Sequence, residues 1–357
     1  MSVSFFYGTT LRRLFRFPWK FRRHFSLIAG VKLFSLIPLG LFNSILAIPD
    51  FFFRGKNPKE IVIIVGHYRS GTTHLYNLME ATGNMFAPST YECAMPYHFL
   101  FTNIWLKPII AFFTPKKRLF DSMKMDVNTP QEDEIAMATC CAASPYLVTS
   151  FPFDPDYFKS CISISEMEKH DVDDWKNQHR RFIRKLGAKS KGKKGLILKS
   201  PAHASRISLL LEMYPNAKFI HIHRNPISVV RSSLNLYRVW YEMQTFGDIS
   251  SLKENTHNTL LETYSKIESD WDIDHKKIDS SNRIDIAYSE LKDDPKKIIK
   301  NIFSHLGLEG FSENKITSYL NSVKDHQKGK YPPLEDSMMA KMKTILCDYC
   351  KKYQYEL

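Results

Sequence analysis

The sequence predicts an α/β fold with a central parallel sheet flanked by helices. Two patterns carry this reading. Short apolar runs rich in β-branched residues alternate with segments of helical periodicity. A glycine-bracketed loop joins the first apolar run to the helix that follows it.

The elements follow in order. Residues 60–66, EIVIIVG, form a short apolar, β-branched run, as expected of a buried parallel strand. Residues 73–82 read as a helix closed by Gly83. Three further strands are expected over 195–199, 218–223 and 283–287, with helices over 204–214 and 227–241 between them. A polar loop is expected over 274–282 and an amphipathic helix over 295–306. One domain over 58–331 accommodates this alternation, with a distinct segment at 1–56 and a helical tail at 332–357.

Composition narrows the function. Of 357 residues, 43% are hydrophobic and 24% charged, which excludes a disordered or collagen-like chain. The net charge of +13 favours an anionic partner. Residues 1–56 hold nine Lys or Arg against Asp50 alone, so +8 of that charge sits there and only +5 on the rest. This uneven distribution argues against a nucleic-acid-binding body. Six scattered cysteines make no disulfide framework, and the lone Cys347-x-x-Cys350 pair lacks the partners of a structural zinc site. There is no Asn-x-Ser/Thr sequon.

The N-terminal segment carries its charge among aromatics: residues 11–25 read LRRLFRFPWKFRRHF. Residues 33–49 follow without a charge but include Pro38, Gly40, Asn43 and Pro49. That run is short of the roughly 20 apolar residues of a spanning helix. Three readings stand: an element lying at a membrane surface, a poor signal anchor, or helices packed on the body.

The strongest local signal is Gly66-His-Tyr-Arg-Ser-Gly-Thr-Thr73, between a strand and a helix. Glycines let the backbone wrap a phosphate with its N–H groups turned inward, and the helix N-terminus adds positive partial charge. The pattern makes the fold P-loop NTPase-like, with three layers. A nucleotide triphosphatase needs Lys after the second Gly. Here Thr72 stands there and the cation is Arg69, inside the loop. A second cluster follows two later strands: Lys199 in LKSPAH, and Arg224 with Ser232 eight residues on. Arginine at a strand end and serine two turns along the next helix can hold a phosphate together.

Arg69-Ser70-Gly71-Thr72-Thr73 resembles the 5′-phosphosulfate loop of the sulfotransferases, and Arg224 with Ser232 resembles their 3′-phosphate motif. The segments around Glu92, 130–134, 144–146, 198–203 and 288–291 resemble blocks of the large bacterial-type branch related to tyrosylprotein sulfotransferases. The likeness covers about 60–331. It implies 3′-phosphoadenosine 5′-phosphosulfate (PAPS) as the sulfuryl donor, PAP as a product, and a hydroxyl-bearing acceptor. It implies that Ser70, Gly71, Thr72 and Thr73 hold the 5′-phosphate, and that Arg224 and Ser232 hold the 3′-phosphate. Arg69 and Lys199 then neutralise charge on the bridging and sulfuryl oxygens. Lys328-Gly329-Lys330 partly resembles the basic loop that closes over PAP. For the general base the resemblance offers Glu92 first, 23 residues beyond Arg69, and His203 second. The alternative for Glu92 is a helix cap or a salt bridge. The chemistry requires no metal.

Glu132, Asp133 and Glu134 either orient the acceptor, pair with Arg69 or Lys199, or form a solvated face. Residues 95–113 are rich in aromatic and aliphatic side chains, fit for the wall of an apolar acceptor pocket or for core packing. With the N-terminus they suggest a lipophilic alcohol or glycolipid acceptor reached from a membrane. The expected location is cytoplasmic and peripheral at a membrane, with a lumenal signal-anchored protein as the alternative. A P-loop kinase and a non-catalytic nucleotide-binding module are the competing functions.

Overall fold

A computed structural model describes residues 6–20, 27–53, 55–117, 123–151, 155–164, 166–190, 192–245, 253–324 and 331–357. The chain begins with helices α1 (Leu11–Lys20), α2 (Leu27–Ser35) and α3 (Ile37–Phe51). Then come β1 (Glu60–Val65), α4 (Thr72–Ala81), β2 (Met85–Phe86), α5 (Thr90–Ala94), α6 (Phe99–Thr102), α7 (Leu106–Phe113), α8 (Asp133–Cys140), α9 (Pro155–Ser163) and α10 (Lys169–Ala188). They are followed by β3 (Gly195–Lys199), α11 (Ile207–Met213), β4 (Lys218–His223), α12 (Pro226–Gln244), α13 (Lys253–Asp274) and β5 (Arg283–Ala287). The chain closes with α14 (Tyr288–Asp293), α15 (Pro295–His305), α16 (Glu313–Val323), α17 (Asp336–Ile345) and α18 (Cys347–Tyr353).

These elements divide into two compact units. One comprises Met1–Asn57, Pro88–Lys189 and Tyr237–Lys253 and is helical; the other comprises Pro58–Ala87, Ser190–Leu236 and Glu254–Leu357 and contains the sheet.

The sheet unit bears out the expected fold class. Its five strands are parallel, in the order β2-β3-β1-β4-β5. Ile61 pairs with Leu196 and Val62 with Lys218, so β1 lies between β3 and β4. Residues 62–65 are fully buried, which is why that run does not alternate. One face packs Val62, Ile64, Ile197, Ile220 and Ile222 against Leu75 and Met79 of α4 and Phe303 of α15. The segment 204–214 departs from expectation. Residues 204–206 belong to a 3₁₀ turn, Pro201–Arg206, and only Ile207–Met213 is α-helical. Residues 274–282 hold two 3₁₀ turns in place of a plain loop.

In the helical unit, α1 packs on α3, and Leu11 N donates to Ser44 Oγ (2.9 Å). Arg13 pairs with Asp174 of α10 (2.5 and 2.6 Å). Among the described residues, no helix is long and apolar enough to cross a membrane. Residues 27–51 are instead divided at Leu36, ahead of Pro38.

Candidate active site

The three sheet-unit motifs lie where chain order and strand order diverge. The central strand β1 and its neighbours β3 and β4 all end at the same edge, and the loops after them begin at Gly66, Ser200 and Arg224. In open parallel sheets this carboxyl edge is where ligands bind.

The loop after β1 is held in an unusual backbone shape. Gly66 (φ 134°) and Gly71 (φ 111°) have positive φ, and so does Arg69 (φ 67°). A Cβ on Gly66 would lie 2.4 Å from Ile222 O, and one on Gly71 would lie 2.2 Å from the Tyr288 ring. Both glycines are therefore required by approach as well as by conformation. For Arg69 this backbone costs about 1–2 kcal/mol. Its neighbours hold it in place: Arg224 Nη1 donates to Arg69 O (3.0 Å), and Arg69 Nε donates to Ser232 Oγ (2.9 Å). Successive positive and negative φ values turn backbone N–H groups into one concavity. No side chain caps α4, which starts there. The buried Ser70 Oγ has no hydrogen-bond partner among the described residues. Orphaned donors in a concave loop suit a phosphate group, so the residues present fit the 5′-phosphate of a nucleotide.

The cations around this loop come from separate strands. Lys199, at the end of β3, is buried, donates to Thr73 Oγ1 (3.2 Å) and lies 5.7 Å from the centroid of the Tyr76 ring. Arg224, after β4, lies 4.3 Å over the Tyr288 ring. Burial, and secondarily the charge on Arg69, lower the Arg224 pKa. Two guanidiniums so placed disfavour each other and favour a shared anion. His67 is neutral, its pKa lowered to about 3 by burial; it donates from Nδ1 to Tyr68 O (2.9 Å) and stacks on Tyr264 at 4.1 Å.

The sheet unit thus joins Arg69, Ser70, Gly71, Thr72, Thr73, Lys199, Arg224 and Ser232 in one neighbourhood. His203 is buried on the 3₁₀ turn after β3, with its N–H on Ser200 O (3.2 Å). Lys328, Gly329 and Lys330 lie outside the described residues.

Glu92 belongs to the helical unit. It is the third residue of α5 and completes a capping box, accepting from Ser89 N (2.8 Å). Its other oxygen pairs with Lys189. Both carboxylate oxygens are thereby oriented. The acidic run 132–134 is turned inward, which overturns the solvated-face reading. Tyr146 donates to Glu132, Asp133 and His179 pair at 3.1 Å with both buried, and Glu134 is buried.

Sequence reasoning missed the aromatic support beneath Arg224. The Tyr349 hydroxyl accepts from Arg224 N (3.0 Å) and donates to Arg224 O (2.8 Å), while Tyr355 OH meets His223 Nδ1 (2.9 Å). Both tyrosines belong to the C-terminal tail, more than 120 residues away in sequence. Only the density of tyrosines there hinted at them. Cys350 packs into the same helix as a buried free thiol, and Cys347 is likewise free.

A sequence profile of the sulfotransferase family matches residues 61–313. The chain belongs to the sulfotransferase family. It is 30% identical over 303 residues to omega-hydroxy-beta-dihydromenaquinone-9 sulfotransferase Stf3 of Mycobacterium bovis, covering 82% of this chain and 76% of that one. The Stf3 of Mycobacterium tuberculosis matches to the same extent. Among solved structures, sulfotransferase STF9 of Mycobacterium avium superposes with a TM-score of 0.66 at 16% identity, over 94% of this chain and 88% of that one. Sulfotransferase STF1 of M. tuberculosis follows at 0.56 and 17%, over 86% and 83%. These two share the fold. The protein is a sulfotransferase enzyme, as its phosphate motifs led us to expect, and the kinase and non-catalytic readings fall away.

Proposed function

We propose that this sulfotransferase moves the sulfuryl group of PAPS to the hydroxyl of a lipophilic acceptor. One observation carries the donor: Arg224 donates to Arg69 O, and Arg69 donates to Ser232. This linkage joins the loop suited to a 5′-phosphate to the strand-end cation suited to a 3′-phosphate. The acceptor class rests on the Stf3 relatives, whose named substrate is a hydroxylated menaquinone, and on apolar residues exposed on α3 and α7.

PAPS supplies an activated sulfuryl group on its 5′-phosphate. The chain's own residues do the rest by position and charge. The N–H groups of residues 71–73 and the Ser70, Thr72 and Thr73 hydroxyls hold the 5′-phosphate, the Ser70 N–H being engaged by His67 O (3.1 Å). Lys199, steadied by Thr73, and Arg69, steadied by Ser232, neutralise charge as the bridging oxygen leaves. Arg224 and Ser232 grip the 3′-phosphate. Glu92 takes the acceptor proton, with His203 as the second candidate base. Residues 1–56 bring the enzyme to a membrane surface at its cytoplasmic side.

The test incubates purified protein with sulfur-labelled PAPS and cell extract, then separates lipid from aqueous products. Label in the lipid fraction that disappears in Arg69→Ala and falls in Glu92→Gln is expected. Label only in aqueous products would overturn the acceptor class. Full activity in Glu92→Gln, with loss in His203→Asn, would move the base to His203.

A further inference from the structure

Helix α3 is built with its polarity reversed. Its buried positions include Asn43, held by Tyr7 O, Thr9 O and His98, and Asp50, held by the N–H groups of Leu100 and Phe101 and by Lys185. Its outward positions are Leu41, Phe42, Ile45, Ile48 and Phe51. A helix facing water normally shows the opposite arrangement. Helix α7 behaves alike, with no buried residue and with Phe112 and Phe113 exposed by 85% and 76%. Of the 17 large hydrophobic residues exposed among those described, all but Ile273 lie in the helical unit. Such concentration marks a binding face.

The charge beside this face identifies what covers it. A cleft of about 390 Å³ opens between the end of α3 and α10, lined by Arg180, Arg181, Arg184, Lys185, Phe51 and Phe53. Lys185 is neutralised by the buried Asp50 (2.6 Å). Among the described residues, no carboxylate pairs with Arg180, Arg181 or Arg184. Arg181 lies 5.0 Å over the Phe51 ring, so the cationic cleft abuts the apolar stripe. Asp50 bolts α3 to the start of α6, and Phe101 stacks edge-on against Trp105 (6.3 Å), which leads into α7. Apolar stripe, arginine cleft and α7 are therefore consecutive neighbours within one unit.

We infer that this surface docks on an anionic lipid bilayer, with a phospholipid phosphate held by Arg180, Arg181 and Arg184 and the α3 and α7 side chains in the acyl boundary. A protein partner would need carboxylates for the arginines and a matching apolar face. A bilayer presents phosphate and hydrocarbon at the two depths required. The inference extends the membrane contact proposed for residues 1–56 to residues 99–113 and 177–185. It stands whatever the acceptor proves to be.

The test is flotation of the full-length protein with phosphatidylcholine vesicles, with and without phosphatidylglycerol. Partition onto the anionic vesicles is expected. Arg180→Ala/Arg181→Ala/Arg184→Ala should lower that partition on the order of 100-fold, about five-fold per arginine. Ile104→Ser/Phe112→Ser/Phe113→Ser should abolish it. All altered side chains are partly or fully exposed, and calorimetric binding of PAP should be unchanged in both variants, which shows that they are folded. Wild-type partition by either variant would overturn the inference. So would a wild-type protein that ignores both vesicles and forms a dimer that the serine substitutions dissociate. Vesicle binding without PAP binding would overturn the donor assignment and leave this inference standing.

Discussion

Gly71→Ala isolates what the phosphate loop demands of its backbone. At φ 111° the residue occupies a region that costs an alanine about 1–2 kcal/mol. The new Cβ would sit 2.2 Å from Tyr288 Cδ2, and such overpacking adds about 1–3 kcal/mol. The sum is about 2–5 kcal/mol of stability, a large part of what an ordinary domain possesses. The ring cannot yield without disturbing Arg224, whose guanidinium lies 4.3 Å over it. Binding of PAP should therefore weaken by at least about ten-fold, the equivalent of one lost charge-assisted hydrogen bond. Urea unfolding and calorimetric titration with PAP measure the two effects. Adding Tyr288→Ala relieves the clash but not the backbone cost, so the double variant should be less destabilised than the two single effects summed, by about 1–3 kcal/mol. A wild-type urea midpoint with wild-type PAP affinity, or a strictly additive cycle, would refute the reasoning.

Two further outcomes are expected. Tyr349→Phe removes both hydrogen bonds to the Arg224 backbone and should lower stability by about 1–3 kcal/mol, with PAP affinity, read by calorimetry, falling more than that of a distant surface control. His221 supplies a pH dependence. Burial opposes its charge, but Glu268 and Asp285 outweigh it and raise its pKa from 6.5 to about 9. Because the folded value lies above the unfolded one, the stabilisation is complete below about pH 6.5 and is lost as pH rises through about 9, on the order of 3 kcal/mol in all. Urea midpoints between about pH 6 and pH 10 should follow that course, and His221→Gln should flatten it; a flat wild-type profile would contradict the assignment.

Much of the sheet unit was legible in the sequence because its signals are local. Residues 61–65 are apolar throughout, since β1 is covered on both faces, and the strand ends one residue early, at Val65, because Gly66 turns away at φ 134°. The cluster of Arg69, Arg224 and Ser232 was legible as a candidate, since a loop and a two-turn helical offset are short-range geometry, and the structure links the three by hydrogen bonds. β2 was not anticipated: two residues, Met85 and Phe86, carry no periodicity and owe their pairing to Gly195 and Leu196. The direction of the acidic run 132–134 was equally hidden. A charge run reads as solvated until Tyr146 and His179, which no local pattern links to it, are brought alongside.

By itself the sequence determined the fold class, the glycine-bracketed loop and the family, because alternation, glycine spacing and cation placement act over a few residues. Tertiary structure decided the rest. It turned Asn43 and Asp50 inward and left the apolar side of α3 outside, since each buried polar group needs partners that only folding supplies. It placed Tyr349 on the backbone of Arg224 across 125 residues of chain, a contact that depends on the packing of the tail and on nothing near either residue in sequence.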